Sequence, residues 1–127
     1  MFKVIANTQL SPNVWRLDVM APRIAKIRHA GQFVIVCKGE GSERVPLTIA
    51  NADPQEGWIT LVIQAIGKST RELVDTQVGE SIRDISGPLG KPTELAEPGT
   101  KAICVGGGVG TGVVHPIAQA LHARGVE

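Results

Sequence analysis

The chain has 127 residues, with 13 Lys plus Arg against 12 Asp plus Glu. That length suits one domain able to bury a core without metal or disulfide staples. The balanced charge and the lack of any basic run mark no surface for nucleic acid or an anionic membrane, and two Trp, two Phe and no Tyr leave little for base stacking.

The opening MFKVIANTQL holds no apolar signal core, and no apolar run approaches the length of a membrane span. A soluble cytoplasmic protein is expected. Cys37 and Cys104 lie far apart inside apolar runs, so both are expected to be buried free thiols in a reducing compartment. There is no C-x-x-C pair, so no cysteine-ligated metal or iron–sulfur site is expected within the chain.

Residues 1 to about 90 have β character. In NVWRLDVM, residues 13–20, Trp15, Leu17 and Val19 alternate with Arg16 and Asp18, which predicts a strand with one buried face. A short helix is predicted near Ile24–Arg28. Strands follow at QFVIV (32–36), VPLTIA (45–50), WITLVIQAI (58–66) and ESIRDIS (80–86), several rich in β-branched residues. Turn signals separate them at Gly39–Glu43 and at Asn51–Gly57. Many short strands with frequent turns predict an antiparallel barrel or sandwich.

Gly67-Lys68-Ser69-Thr70 looks like the end of a phosphate-binding P-loop. Val62 stands where that loop needs its first glycine, so a nucleoside triphosphatase is excluded. Ser69-x-x-Glu72 predicts a capping box and a helix from Ser69 to about Asp75. The residues leave two readings open: a capped surface helix with nothing bound, or an anion at the helix start.

Arg44 and Thr48 are polar residues in an otherwise apolar strand. Thr48 can hydrogen-bond a ligand ring and Arg44 can pair with phosphate, but Pro46 is equally consistent with an edge strand that binds nothing. GPLGKPTELAEPGT, residues 87–100, is predicted to be a connecting loop. KAICV (101–105) is predicted to be a short buried strand. GGGVGTG (106–112) follows as a glycine loop, and VVHPIAQALHARG as a helix with Val113, Ile117, Ala120 and Leu121 on one face and Gly125 as its C-cap.

Strand, glycine loop and helix open a βαβ unit, which cannot bury its own faces alone. The expected division is a barrel over residues 1–97 and the start of a truncated nucleotide-binding domain over 98–127. The loop matches the dinucleotide fingerprint loosely, with Thr111 in place of the last glycine. His29, His115 and His122 form no catalytic set, and no carboxylate pair stands out. Catalytic residues are therefore expected to be absent, with a cofactor carrying the chemistry.

GQFVIV, RVPLTIA, GKSTREL, GPLGKP and CVGGGVGTGVVHPIAQAL, in that order, resemble the ferredoxin–NADP reductase superfamily over essentially the whole chain. Within it the chain is similar to the small flavin subunit of NADH-dependent ferredoxin:NADP oxidoreductase and to the electron-transfer subunit of class 1B dihydroorotate dehydrogenase. The resemblance implies a six-stranded antiparallel Greek-key FAD barrel followed by a nicotinamide-nucleotide domain. It implies that Arg44, Pro46, Leu47 and Thr48 line the flavin, that Val62, Ile63 and Gln64 run along its ribityl and ring edge, and that Gly67, Lys68, Ser69 and Thr70 receive its pyrophosphate. Gly106, Gly107, Gly108, Val109, Gly110, Thr111 and Gly112 would face NAD(P)H, the substrate of the full-length protein.

Leu47 replaces the tyrosine that stacks on the flavin in plant-type reductases. Arg44 lies one residue upstream of the family position, which makes Lys68 a substitute phosphate ligand. The implied partners are a larger flavin and iron–sulfur subunit and a ferredoxin-type carrier, with a [2Fe–2S] cluster only in a C-terminal part outside this chain. The fragment alone is expected to be inactive. The rival readings are the dihydroorotate dehydrogenase subunit, a cofactor-free β-barrel binding module, and a surface for assembly.

Overall fold

A computed structural model describes residues 1–127. Its seven strands are β1 (Phe2–Ser11), β2 (Val14–Met20), β3 (Phe33–Cys37), β4 (Arg44–Asp53), β5 (Trp58–Gln64), β6 (Ser81–Ile82) and β7 (Asp84–Leu89). They form one antiparallel sheet in the order β6-β1-β2-β5-β4-β3-β7. The two edge strands are consecutive in the chain, separated by Arg83 alone. The sheet therefore curls until its edges meet, as a nearly closed barrel.

The run predicted as one strand at 80–86 is split for the same reason. Its first part pairs with β1 and its second with β3, so one stretch of chain serves both edges. The five barrel strands read from the sequence thus become six segments, and β1, which that reading did not name, is the seventh. β3, β4 and β5 form consecutive hairpins, and β5 returns beside β2, which makes a Greek key. The long β2–β3 connection carries α1 (Pro22–Ile27), started by Pro22 and buried through Ile24 and Ala25.

The alternation predicted for β2 holds. Leu17 and Val19 are fully buried, Trp15 packs against the same core, and Arg16 and Asp18 face outward. Register then places Leu17 opposite Leu61 and Leu61 opposite Ile49, a buried row across three strands. α2 (Lys68–Val74) closes the other flank with Leu73 and Val74.

The C-terminal segment departs from expectation. Lys101–Val105 is not a strand, and Ile103 and Val105 are 92% and 82% exposed. Strands of a parallel sheet are buried by pairing on both edges and by helices on both faces. Here the only main-chain partner is Glu127, whose N–H donates to the Thr100 carbonyl and whose carbonyl accepts from Ala102 N–H, each at 2.9 Å. A single residue bonded to positions two apart has the pattern of a parallel pair. It joins the segments before and after α3 (Thr111–Ala123). α3 ends as predicted at Gly125, with φ +87°. Val126 N–H reaches the Leu121 carbonyl and Gly125 N–H the His122 carbonyl, a Schellman motif. The predicted loop at 87–100 begins three residues late, because β7 continues to Leu89.

Both cysteines are free, but only Cys37 is buried. Cys104 is exposed along with the unpaired segment around it. The Cys37 thiol donates toward the Gly39 and Ser42 carbonyls at 3.3 and 3.4 Å. In the folded chain one thiol is expected to react with Ellman's reagent within seconds, and the second only as urea unfolds the barrel. Two fast thiols would show that β3 is not packed as described.

Candidate functional site

A groove runs between the outer face of β4–β5 and the start of α3. Its narrower part, about 310 Å³, is lined from β4 by Val45, Pro46, Leu47 and Thr48, from β5 by Val62 and Gln64, and by Thr70 and α3 residues Gly112 and Val113. A wider part, about 580 Å³, shares Ala50, Val62, Gln64, Val109 and Gly112 and extends over β2 to Arg16, Asn51, Thr60 and His115. Both volumes fall in the usual ~300–1,000 Å³ range of small-molecule sites.

Period-two alternation explains the floor. Val62 and Gln64 face the groove, whereas Ile63 between them is fully buried in the core. Only the main chain of Ile63 is left to line a site. Leu47 faces the groove while packing against the core. Close approach of α3 depends on Gly112, where an added Cβ would lie 3.2 Å from the Val62 side chain. Gly106 is needed in the same way, since its Cβ would meet the Thr111 Cα at 2.9 Å. Of the glycine loop, Gly108, Val109, Thr111 and Gly112 line the groove, whereas Gly106, Gly107 and Gly110 do not.

The α2 turn lies beyond Ile66. Only half of a capping box forms there, two residues upstream of the predicted one. Gly67 is the N-cap, and the Thr70 hydroxyl accepts from Ile66 and Gly67 N–H at 3.1 Å. Ser69 is instead inside the helix and donates to Glu43 at 2.6 Å, while Ser42 donates to Glu72 at 3.2 Å. The extended backbone of Gly67 moves the cap upstream and lets Thr70 take the role predicted for Glu72. Lys68 and Ser69 flank a small depression with Ser42, Glu43 and Glu72. The first-turn N–H groups of Lys68, Ser69 and Thr70 have no intrahelical acceptor.

Arg44 is not beside α2. The β3–β4 register runs unbroken from Arg44 to Thr48, so Arg44, Pro46 and Thr48 share one face, and the β4 bulge comes only at Ala50. Arg44 turns instead to Asp84 on β7 at 2.9 Å. The hydrogen bond and charge of Asp84, and a smaller contribution from Cys37, hold its guanidinium above the ordinary value.

The structure thus brings together Pro46, Leu47, Thr48, Val62, Gln64 and Thr70, with Lys68 and Ser69 next along the chain, and separates Arg44 from them. It adds Arg16, Asn51, Thr60 and His115. The alternation of β2 marked Arg16 as outward-facing, but nothing local showed that β5 is the neighbour of β2.

No protein-family model matches the chain. A solved structure of NADH-dependent reduced ferredoxin–NADP oxidoreductase superposes on all of this chain with a TM-score of 0.96 and 35% identity. The barrel is of the ferredoxin–NADP reductase type. Phthalate dioxygenase reductase shares the fold at a TM-score of 0.71 and 18% identity, over 98% of this chain and 40% of its own. Among curated relatives, the dihydroorotate dehydrogenase B electron-transfer subunit homologue of Thermotoga maritima is 37% identical over 97% of this chain, and the electron-transfer subunit of Bacillus cereus is 33% identical over 98%. The chain spans 43% and 49% of the length of these two proteins and 46% of the oxidoreductase chain.

Proposed function

We propose that this chain is the FAD-holding barrel, residues 1–97, with the first elements of a nicotinamide-nucleotide domain, residues 98–127, of an electron-transfer flavoprotein subunit. The observation that carries this reading is the groove over β4–β5 in a barrel of this type. It offers an apolar floor at Val62 and Leu47 for a planar ring, and the Thr48 hydroxyl and Gln64 amide to fix its polar edge. FAD held there would supply hydride exchange with a nicotinamide nucleotide and single-electron transfer to an iron–sulfur acceptor. The chain's own residues bind and orient. Val62, Leu47, Val109 and Val113 exclude water from the ring, Thr70 holds the α2 turn, and Lys68 and the free N–H groups of α2 receive the diphosphate.

The named relatives support a larger oxidoreductase subunit as partner; our reading adds a ferredoxin-type carrier and a [2Fe–2S] cluster outside this chain. The T. maritima and B. cereus relatives favour a dihydroorotate-oxidising partner, and the oxidoreductase structure a ferredoxin-linked one. Copurification separates the two. No helix is long and apolar enough to cross a membrane, and two free thiols fit a reducing cytoplasm. We expect little NAD(P)H oxidation from the chain alone.

The test is the absorbance spectrum after incubation with FAD and desalting. Retained flavin bands support the reading, and a protein that stays colourless argues for a cofactor-free module. Glu43 gives a finer check. Its carboxylate holds Ser69 at the place assigned to the diphosphate, so it opposes that charge. Glu43→Gln is expected to tighten FAD about two- to fivefold, the ~0.3–1 kcal/mol usual for a charge near a helix terminus. Fluorescence titration would read this, and weaker binding would make Glu43 part of the site's support instead.

A further inference from the structure

On the outer face of β2–β5, three cross-strand pairs stand in line: Val14 with Gln64, Arg16 with Val62, and Asp18 with Thr60. Thr60 is 3% exposed, and its hydroxyl donates to Asp18 Oδ1 at 2.6 Å. Arg16 closes on the same carboxylate, Nε to Oδ1 at 3.3 Å and Nη2 to Oδ2 at 3.4 Å. A two-pronged pair of this kind fixes the plane of the guanidinium as well as its position. The Asp18 side chain is only 15% exposed, so a buried hydroxyl sets the carboxylate and the carboxylate sets the arginine.

Two observations give this chain of contacts a direction. Directly paired residues on one face of an antiparallel sheet have Cβ atoms about 4.5–5.5 Å apart, which makes Arg16 the immediate neighbour of Val62. Arg16 also lines the wider part of the groove that Val62 floors. A positioned cation therefore lies beside the floor assigned to the ring, on a strand for which the flavin reading above claims no residue.

Resting on that reading, we propose that Arg16, held by Asp18 and Thr60, is a positioning residue that tunes the electron affinity of the bound flavin. A cation near the ring favours its reduced, more negative form. The two charges act in opposite directions. Arg16→Gln leaves the Asp18 carboxylate uncompensated and should lower the flavin potential. Asp18→Asn leaves the cation uncompensated and should raise it. Thr60→Val loosens the pair and should move the potential less than either.

The experiment is equilibration of the FAD-loaded chain and its variants against a dye of known potential, with FAD Kd measured in parallel. The expected result is shifts of opposite sign in Arg16→Gln and Asp18→Asn, with each Kd within about threefold of the parent, less than 1 kcal/mol. Flavin bound by every chain at an unmoved potential would overturn the inference and leave the flavin reading standing. Shifts of the same sign would overturn it too, by showing a structural cause. An unaltered chain that retains no flavin would overturn the flavin reading, and the inference with it.

Discussion

Val62→Trp is expected to abolish flavin retention while leaving the barrel folded. Val62 stands on the outer face of β5, is paired with Arg16 of β2, and floors both parts of the groove. It is also the side chain against which Gly112 brings α3, with 3.2 Å to a notional Cβ. An indole there fills the space the ring needs and pushes the start of α3 away. The neighbours Leu61 and Ile63 point the other way, into the core, and are untouched. Loss of FAD affinity should reach at least about 100-fold, or ~2.7 kcal/mol. The loss of stability should stay within the ~1–3 kcal/mol usual for overpacking, confined to the displaced α3. FAD titration and urea unfolding on the same preparations read the two quantities. A tryptophan variant that binds FAD as tightly as the parent would remove β5 from the site.

Leu61→Ala is expected to cost about 3 kcal/mol of stability, from the ~2–5 kcal/mol range for truncating a fully buried leucine. Leu61 lies at the centre of the Leu17–Leu61–Ile49 row, with all three side chains at most 1% exposed. Both flanking strands are held in register by the sheet, so the cavity left behind cannot collapse. Against a typical total of ~5–15 kcal/mol, this is a large fraction. Urea unfolding followed by Trp fluorescence would measure it, since Trp15 and Trp58 both lie on strands of this sheet. A loss below about 1 kcal/mol, as at a loosely packed position, would place the centre of the core elsewhere.

How the site is assembled separates what is local from what is not. Thr48 stood out locally as a polar residue in an apolar strand, whereas Val62, Ile63 and Gln64 came only from the order of the motifs. Alternation along β5 then turns Val62 and Gln64 to the groove and Ile63 to the core. Arg44 was marked together with Thr48, and its partner Asp84 lies 40 residues on, beyond any local signal. The helix cap moved two residues upstream because Thr70 and Glu72 can both return a hydrogen bond to a helix start, and the extended backbone at Gly67 chose between them.

The sequence by itself determined the strands from β2 to β5, the turn glycines, the helix stop at Gly125, the loop–helix ending and, through the order of five motifs, the reductase-type barrel; β1 and the unpaired segment at 101–105 escaped it. The determined features follow from short-range periodicity and backbone chemistry, which act within a few residues. Only the tertiary structure decided that residues 80–86 serve two edges, that Cys104 is exposed, and that Arg16 lies beside Val62 at the groove. Each of these depends on which strand pairs with which, and that pairing is set by burying the sheet's inner face as a whole, a property no local stretch of chain carries.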